Sequence, residues 1–128
     1  VTAIFSLAYL ENRRPRINGD GEQLRDYVHV RDIARANLLA MDIGNHRISG
    51  RIFNIGWGRG RSVKELDSLI RRFVGTDLLP EQGPALPEEI LKISLDAGLA
   101  AEDLGWKPVI SFEDGLSELV EYHRGRIR

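Results

Sequence analysis

Ser62 and Glu65 stand three residues apart at the head of an apolar stripe, so serine hydroxyl and glutamate carboxylate can satisfy each other's backbone N–H groups. Leu66, Leu69, Ile70 and Phe73 follow at helical spacing, and Gly75 supplies a left-handed stop. This fixes one amphipathic helix, and the same grammar locates the others. Val1, Ile4, Phe5, Ala8 and Tyr9 read as the last turns of a helix running to about Asn12 and ended by Pro15. Asp32 is expected to cap a helix to about Asp42, with Ile33, Ala36, Leu39, Ala40 and Ile43 facing inward and Gly44 as its stop. Asp96 caps a short helix that closes at Leu104-Gly105, and Ser111 with Asp114 caps a last one carrying Leu116, Leu119 and Val120.

The remaining apolar runs are short. Arg16 to Asn18 reads as a strand that enters a Gly19-Asp20-Gly21 hairpin turn, and β-prone Tyr27, Val28 and Val30 continue on the far side. Arg51 to Ile55 alternates, and Ile90, Leu91, Ile93 and Leu95 form an apolar run. Between Thr76 and Glu89, Pro80, Pro84 and Pro87 predict a loop, and Trp106 to Ile110 is extended around Pro108. The fold class is α/β, with short strands and about five helices in a single domain.

Composition narrows the functions. The 18 basic and 19 acidic side chains leave a net charge of -1, so no global field draws the chain to nucleic acid or an anionic membrane. Arg13, Arg14 and Arg16, and Arg124, Arg126 and Arg128, cluster without interleaved aromatic rings, the pattern of a solvated surface. There is no cysteine, which excludes disulfides and thiolate chemistry and suits the cytoplasm. His29, His46 and His123 show no ligand spacing, and no apolar run approaches the roughly 20 residues that span a bilayer. The chain opens at Val1, without methionine, inside an apolar-periodic segment, and is expected to be cut from something longer.

Several motifs dissolve on inspection. Gly56-Trp57-Gly58-Arg59-Gly60 sits where a dinucleotide loop would, with Asp77 further on, but its third glycine should fall at Arg61; a tight strand-to-helix connection is expected. Asn18, Asp20 and Glu22 alternate like calcium ligands, yet Gln23 stands where that loop needs glycine. Tyr9, Tyr27 and Tyr122 are each followed four residues later by arginine, not by the lysine of a catalytic tyrosine-lysine pair. His29 alternates with apolar neighbours as a core or edge histidine would. Arg25 remains: just past a turn, it can grip a phosphate, or form an ordinary surface pair with Asp26.

Three motifs lie in register. They are Gly-Asp-Gly-Glu-Gln-Leu-Arg-Asp-Tyr-Val-His-Val-Arg-Asp-Ile-Ala-Arg-Ala at 19–36, Phe53-Asn54-Ile55-Gly56, and Leu104-Gly105-Trp106-Lys107-Pro108. Their order and spacing resemble the C-terminal part of the NAD-dependent nucleotide-sugar epimerase/dehydratase family, the extended short-chain dehydrogenase/reductases. The resemblance covers nearly the whole chain. It implies the smaller, substrate-binding part of such a fold, lacking the N-terminal Rossmann half that binds NAD and the catalytic tyrosine-lysine pair. The chain by itself then holds no catalytic, cofactor or metal residue. In the whole family enzyme a hydride passes from sugar to NAD, leaving a keto intermediate that is reduced on its other face or loses water.

By position, Arg25 resembles the family's arginine on the substrate diphosphate, and Arg16, Ile17 and Asn18 match a short strand packed around the pyrimidine. Glu89 matches an acid that addresses a ribose hydroxyl or a second arginine, but Leu86 stands where that arginine is usual and Asn18 where an aromatic ring is common. One lost charge-assisted contact costs about 1.5 to 3 kcal/mol. The implied partners are a nucleoside diphosphate sugar and the Rossmann domain, or another chain, covering the strand at 51–55; a homodimer would be one such arrangement. The competing reading is a non-catalytic nucleotide-binding or interaction module.

Overall fold

The computed structural model describes residues 1–43 and 49–127. The expected stop at Gly44, His46, and Arg128 of the terminal basic cluster lie outside the described residues. Among the described residues five helices carry the architecture: α1 (Thr2–Leu10), α2 (Val30–Asp42), α3 (Val63–Val74), α4 (Gly98–Leu104) and α5 (Phe112–Arg124). Four strands of three residues each accompany them: β1 (Arg16–Asn18), β2 (Leu24–Asp26), β3 (Gly60–Ser62) and β4 (Glu81–Gly83).

The local signals of α3 and α5 act as expected. Ser62 Oγ accepts from the Glu65 N–H at 3.1 Å while Glu65 reaches back to the Ser62 N–H at 3.0 Å, and Gly75 ends the helix at φ 80°. Ser111 Oγ accepts from the Asp114 N–H at 3.0 Å. α1, α3 and α5 pack around Phe5, Tyr9, Leu66, Ile70, Leu116 and Val120, with Ile17 of β1 completing the cluster. Fully burying a Leu or Ile side chain contributes roughly 1.5–3 kcal/mol, so this bundle holds the main store of apolar stabilisation. Polar groups of its helices are paired, whereas the buried hydroxyl of Tyr27, which packs against the cluster, has no partner among the described residues. Tyr9 Oη donates to Asp67 at 2.5 Å, Arg71 Nε donates to the same carboxylate at 2.9 Å, and Ser6 Oγ lies 2.6 Å from His123 Nδ1. Burial, then the Asp67 bond, push the Tyr9 hydroxyl well above its ordinary pKa.

A second cluster joins α2 to α4 through Ala36, Ala100, Leu104 and the fully buried Trp106. Asp32 ties it together, though not as the expected cap. His29 occupies the cap position instead, its Nδ1 accepting from the Arg31 N–H at 3.2 Å, so it is not a strand histidine. Asp32 lies in the first turn, 1% exposed, and its Oδ2 accepts from the Val109 and Ile110 N–H groups at 3.0 Å each. Its carbonyl accepts from Trp106 Nε1 at 2.8 Å.

The strands depart furthest from expectation. Gly19-Asp20-Gly21 is not a hairpin: β1 pairs in parallel with β4, whereas β2 pairs antiparallel with β3. Gly19 and Gly21 both adopt positive φ, the Gly19 N–H donates to the Gly83 carbonyl, and the Gly21 carbonyl accepts from the Lys64 N–H. The turn therefore hands the chain from one two-stranded sheet to another. The strand expected near 27–30 stops at Asp26, because Val30 already begins α2. β4 lies inside the segment expected to be all loop, drawn into register by β1. Residues 51–55 form no strand among the described residues; Phe53 and Ile55 pack on the α2–α4 cluster while Ile52 is 87% exposed. The apolar run at 90–95 makes one parallel bridge, Lys92 to Leu24, because it has a single neighbour on one side. Asp96 sits one place before the α4 cap, Ala97, and accepts from the Gly98 N–H at 2.8 Å. Of the three tyrosine–arginine pairs, Tyr122 and Arg126 are in contact, the guanidinium stacking over the ring at 4.1 Å. No described helix is long and apolar enough to cross a membrane.

Burial pushes the Asp32 carboxyl up, but the backbone N–H groups of Ile110 and Val109 and the Arg35 guanidinium outweigh it, holding it below its ordinary value of 3.8. A carboxylate lowered in the folded state adds stability above its ordinary value and loses it as pH falls through the folded value. Asp32→Asn is expected to cost about 2–3 kcal/mol at pH 7 and to lack this part of the acid-induced loss, as read from urea unfolding between pH 7 and 3.

Candidate functional site

β2 runs along the seam between the two apolar clusters, and Arg25 stands at its centre. The register places Arg25 opposite Arg61 of β3, an arrangement that repels unless each cation is met. Each is. Arg61 reaches Glu65 at 3.2 Å and Glu113 at 3.4 Å, and stacks over the Phe112 ring at 5.4 Å. Arg25 turns the other way. Its Nη1 donates to the carbonyls of Leu24 at 2.9 Å and Ile90 at 2.6 Å, and its Nη2 donates to Glu89 Oε1 at 3.1 Å.

Three of the five guanidinium N–H donors are thereby engaged, which fixes the plane of the group. Among the described residues the Nε proton and one Nη2 proton keep no partner, so two donors remain for an anion. The side chains of Arg25 and Glu89 are 28% and 23% exposed, so the pair is reachable from solvent yet not freely hydrated. Asp26 is not Arg25's partner. Its Oδ1 accepts from the Trp57 N–H at 2.7 Å and its Oδ2 from those of Gly58 and Leu95 at 3.0 Å each.

The expected base-packing strand is β1. Ile17 points into the core, so only its backbone faces away from the bundle. Arg16 and Asn18 lie on the other face and converge over Gly83 of β4: a Cβ there would lie 2.6 Å from Asn18 Oδ1 and 2.8 Å from Arg16 Nη2. A side chain at 83 would push the ends of these two polar side chains off that face. From Gly83 the chain passes the exposed Leu86, takes a positive φ at Glu88, and delivers Glu89 to Arg25. The structure therefore joins Arg25 directly to Glu89, and connects both to Arg16 and Asn18 through residues 83–89. A separate cavity of about 470 Å³, lined by Tyr27, His29, Phe112 and Glu118 among others, contains none of these residues. Among the described residues no cluster of His, Asp and Glu could hold a metal ion.

The glycine loop does not suit a dinucleotide. Its Trp57 and Gly58 N–H groups, which would have to face a pyrophosphate, are spent on Asp26, and a Cβ at Gly56 would lie 2.8 Å from Asp26 Oδ2. Gly56 makes room for an internal carboxylate, so this loop does not fit NAD. The acid after Arg25 reads in the sequence as one that can hold the local backbone in place; the backbone it holds is distant, at Trp57, Gly58 and Leu95, and the paired glycines around Trp57 are the available sign of that approach.

Residues 1–56 match the model of the NAD dependent epimerase/dehydratase family. A putative UDP-glucose 4-epimerase of Methanocaldococcus jannaschii is 38% identical over 100% of this chain and 40% of its own length. A crystal structure of UDP-glucose 4-epimerase from Thermotoga maritima, with UDP-glucose, superposes at a TM-score of 0.92 with 42% identity, over 99% of this chain and 40% of that one. UDP-glucuronic acid 4-epimerase from Bacillus cereus, in complex with UDP-glucuronic acid and NAD, gives 0.90 and 25% identity over 98% of this chain and 40% of that one. The chain spans about two fifths of the length of the relatives it matches.

The Arg25–Glu89 pair is partly solvated and contributes little to folding. Glu89→Gln is expected to change stability by less than about 1 kcal/mol in urea unfolding, leaving the fold intact for binding measurements.

Proposed function

We propose, from the premise that this chain is a UDP-glucose 4-epimerase-like relative of the NAD-dependent epimerase/dehydratase family, that it is the C-terminal, nucleotide-sugar-binding part of such an enzyme. The observation that carries the reading is the Arg25 guanidinium, held by Glu89 and two carbonyls with one donor pair left over. A fixed fork of two N–H groups beside a half-buried carboxylate suits one phosphate of a nucleoside diphosphate and a neighbouring hydroxyl. Arg16, the Ile17 backbone and Asn18 present polar groups to the base, and Glu89 Oε2 accepts from a ribose hydroxyl.

NAD belongs, on this reading, to a Rossmann half of the longer cytoplasmic parent. α2 supports the need for such a neighbour. Beyond the side that packs on Trp106, it presents Val30, Ala34, Leu38 and Met41 outward at spacings of three and four residues, all exposed. That face suits burial against the rest of the enzyme or another chain. Leu86 favours a second reading, a binding module without catalysis, since it removes a cation on which the family's diphosphate grip usually relies.

Arg25→Ala is expected to weaken UDP-glucose binding at least about tenfold by calorimetry. Unchanged affinity would remove the phosphate role. Parallel titrations with dTDP-glucose and a short DNA duplex separate a sugar-nucleotide site from a general anion site.

A further inference from the structure

Arg25 owes its fixed plane to Glu89 and Ile90, and these belong to a segment with no sheet of its own. Residues 89–95 meet β2 through two backbone–backbone bonds and through the side chains of Arg25 and Asp26. Leu24 supplies the two backbone bonds, its N–H donating to the Leu91 carbonyl at 2.8 Å and its carbonyl accepting from the Ile93 N–H at 3.1 Å. These hold the middle of the segment and leave its two ends to other contacts. Arg25 meets one end at Glu89 and Ile90, and the bond from the Leu95 N–H to Asp26 Oδ2 at 3.0 Å holds the other.

The same carboxylate is held from the opposite side. Trp57 and Gly58 donate their N–H groups to it at 2.7 and 3.0 Å, from a turn anchored by the start of β3. Gly56 leaves the space: a Cβ there would lie 2.8 Å from Asp26 Oδ2 and 3.0 Å from Leu95 Cβ. A carboxylate accepting three backbone N–H bonds is both strongly held and strongly directional. Nothing else among the described residues joins β2, the 56–58 turn and the 89–95 segment at one point.

We infer that Asp26 is a positioning residue for Arg25: it sets the line of 89–95, and through it the Glu89 carboxylate and Ile90 carbonyl that aim the guanidinium at its anion. The inference rests on the phosphate role proposed for Arg25. It also explains why an acid directly follows that arginine without pairing with it. Side chains alternate across a strand, so Arg25 and Asp26 point to opposite faces, one toward ligand and one toward the support.

Two variants break the latch by different means. Asp26→Asn keeps the shape but turns an amino group toward backbone donors; Gly56→Ala keeps the charge but drives a methyl group into the carboxylate. Uridine diphosphate binding is measured by calorimetry for both, for Arg25→Ala, and for the double variant with Arg25→Ala and Asp26→Asn. The side-chain NMR signals of Arg25 are recorded without ligand. Asp26→Asn and Gly56→Ala are each expected to weaken binding about fivefold or more, and Asp26→Asn to add nothing once Arg25 is alanine. The Arg25 signals, distinct while three hydrogen bonds restrict the guanidinium, are expected to average in both single variants. Additive losses in the double variant, or unchanged Arg25 signals in a folded Asp26→Asn or Gly56→Ala chain, overturn the inference. Should Arg25→Ala bind uridine diphosphate as the parent chain does, the phosphate role fails instead, and the ligand-free signals still decide whether Asp26 governs Arg25.

Discussion

Backbone N–H groups in the irregular segments have no ladder to enter, and two carboxylates receive those on which the layout depends. Asp26 accepts from Trp57, Gly58 and Leu95, and Asp32 accepts from Val109 and Ile110. A buried donor left unpaired costs about 1–3 kcal/mol, so strands of three residues cannot by themselves hold such long connections. The aspartates replace sheet with side chain. One joins β2 to the glycine turn and to 89–95; the other joins α2 to the segment behind Trp106. Together they knit the α1–α3–α5 bundle to the α2–α4 layer along the line from Leu24 to Val30.

What was legible in the sequence follows the range of the forces involved. The capping box of Ser62 and Glu65, the Ser111 cap and the glycine stops are settled within four residues, and α3 and α5 form where their signals lie. His29 took the cap position expected for Asp32 because the Asp32 side chain had partners elsewhere: Val109 and Ile110, 77 and 78 residues away, outcompete the local N–H groups. The Gly19–Gly21 turn reads locally as a hairpin, but β1 finds β4 and β2 finds β3, pairings decided by the packing of helices between them. The segments at 51–55 and 90–95 carry the right residues, but the first finds no strand partner among the described residues and the second finds β2 on one side only, which no local pattern registers.

The candidate site shows the same division. Arg25 stood out from its place beside a turn, and Glu89 from the family resemblance; their contact spans 64 residues and became visible only in the fold. Asp26 reads in the sequence as an acid that can brace the local backbone, yet its carboxylate serves a glycine turn and a segment 69 residues away. Of the glycines that resemble a cofactor loop, Gly56 is a clearance for that carboxylate and Gly58 takes a positive φ, so the departure from the dinucleotide spacing has a structural cause.

Leu86 sharpens the meaning of the support around Arg25. With two arginines, a diphosphate can be held by charge even when each side chain retains some freedom. With one, affinity depends on how little rotamer entropy the guanidinium loses on binding, and each immobilised long side chain costs roughly 0.5–1.5 kcal/mol. Arg25 meets that cost in the folded state, through Leu24, Ile90 and Glu89, before any ligand arrives. On the proposed reading the missing cation and the tightly held remaining one belong together: a site with half the charge keeps its grip only if the half that remains is already aimed.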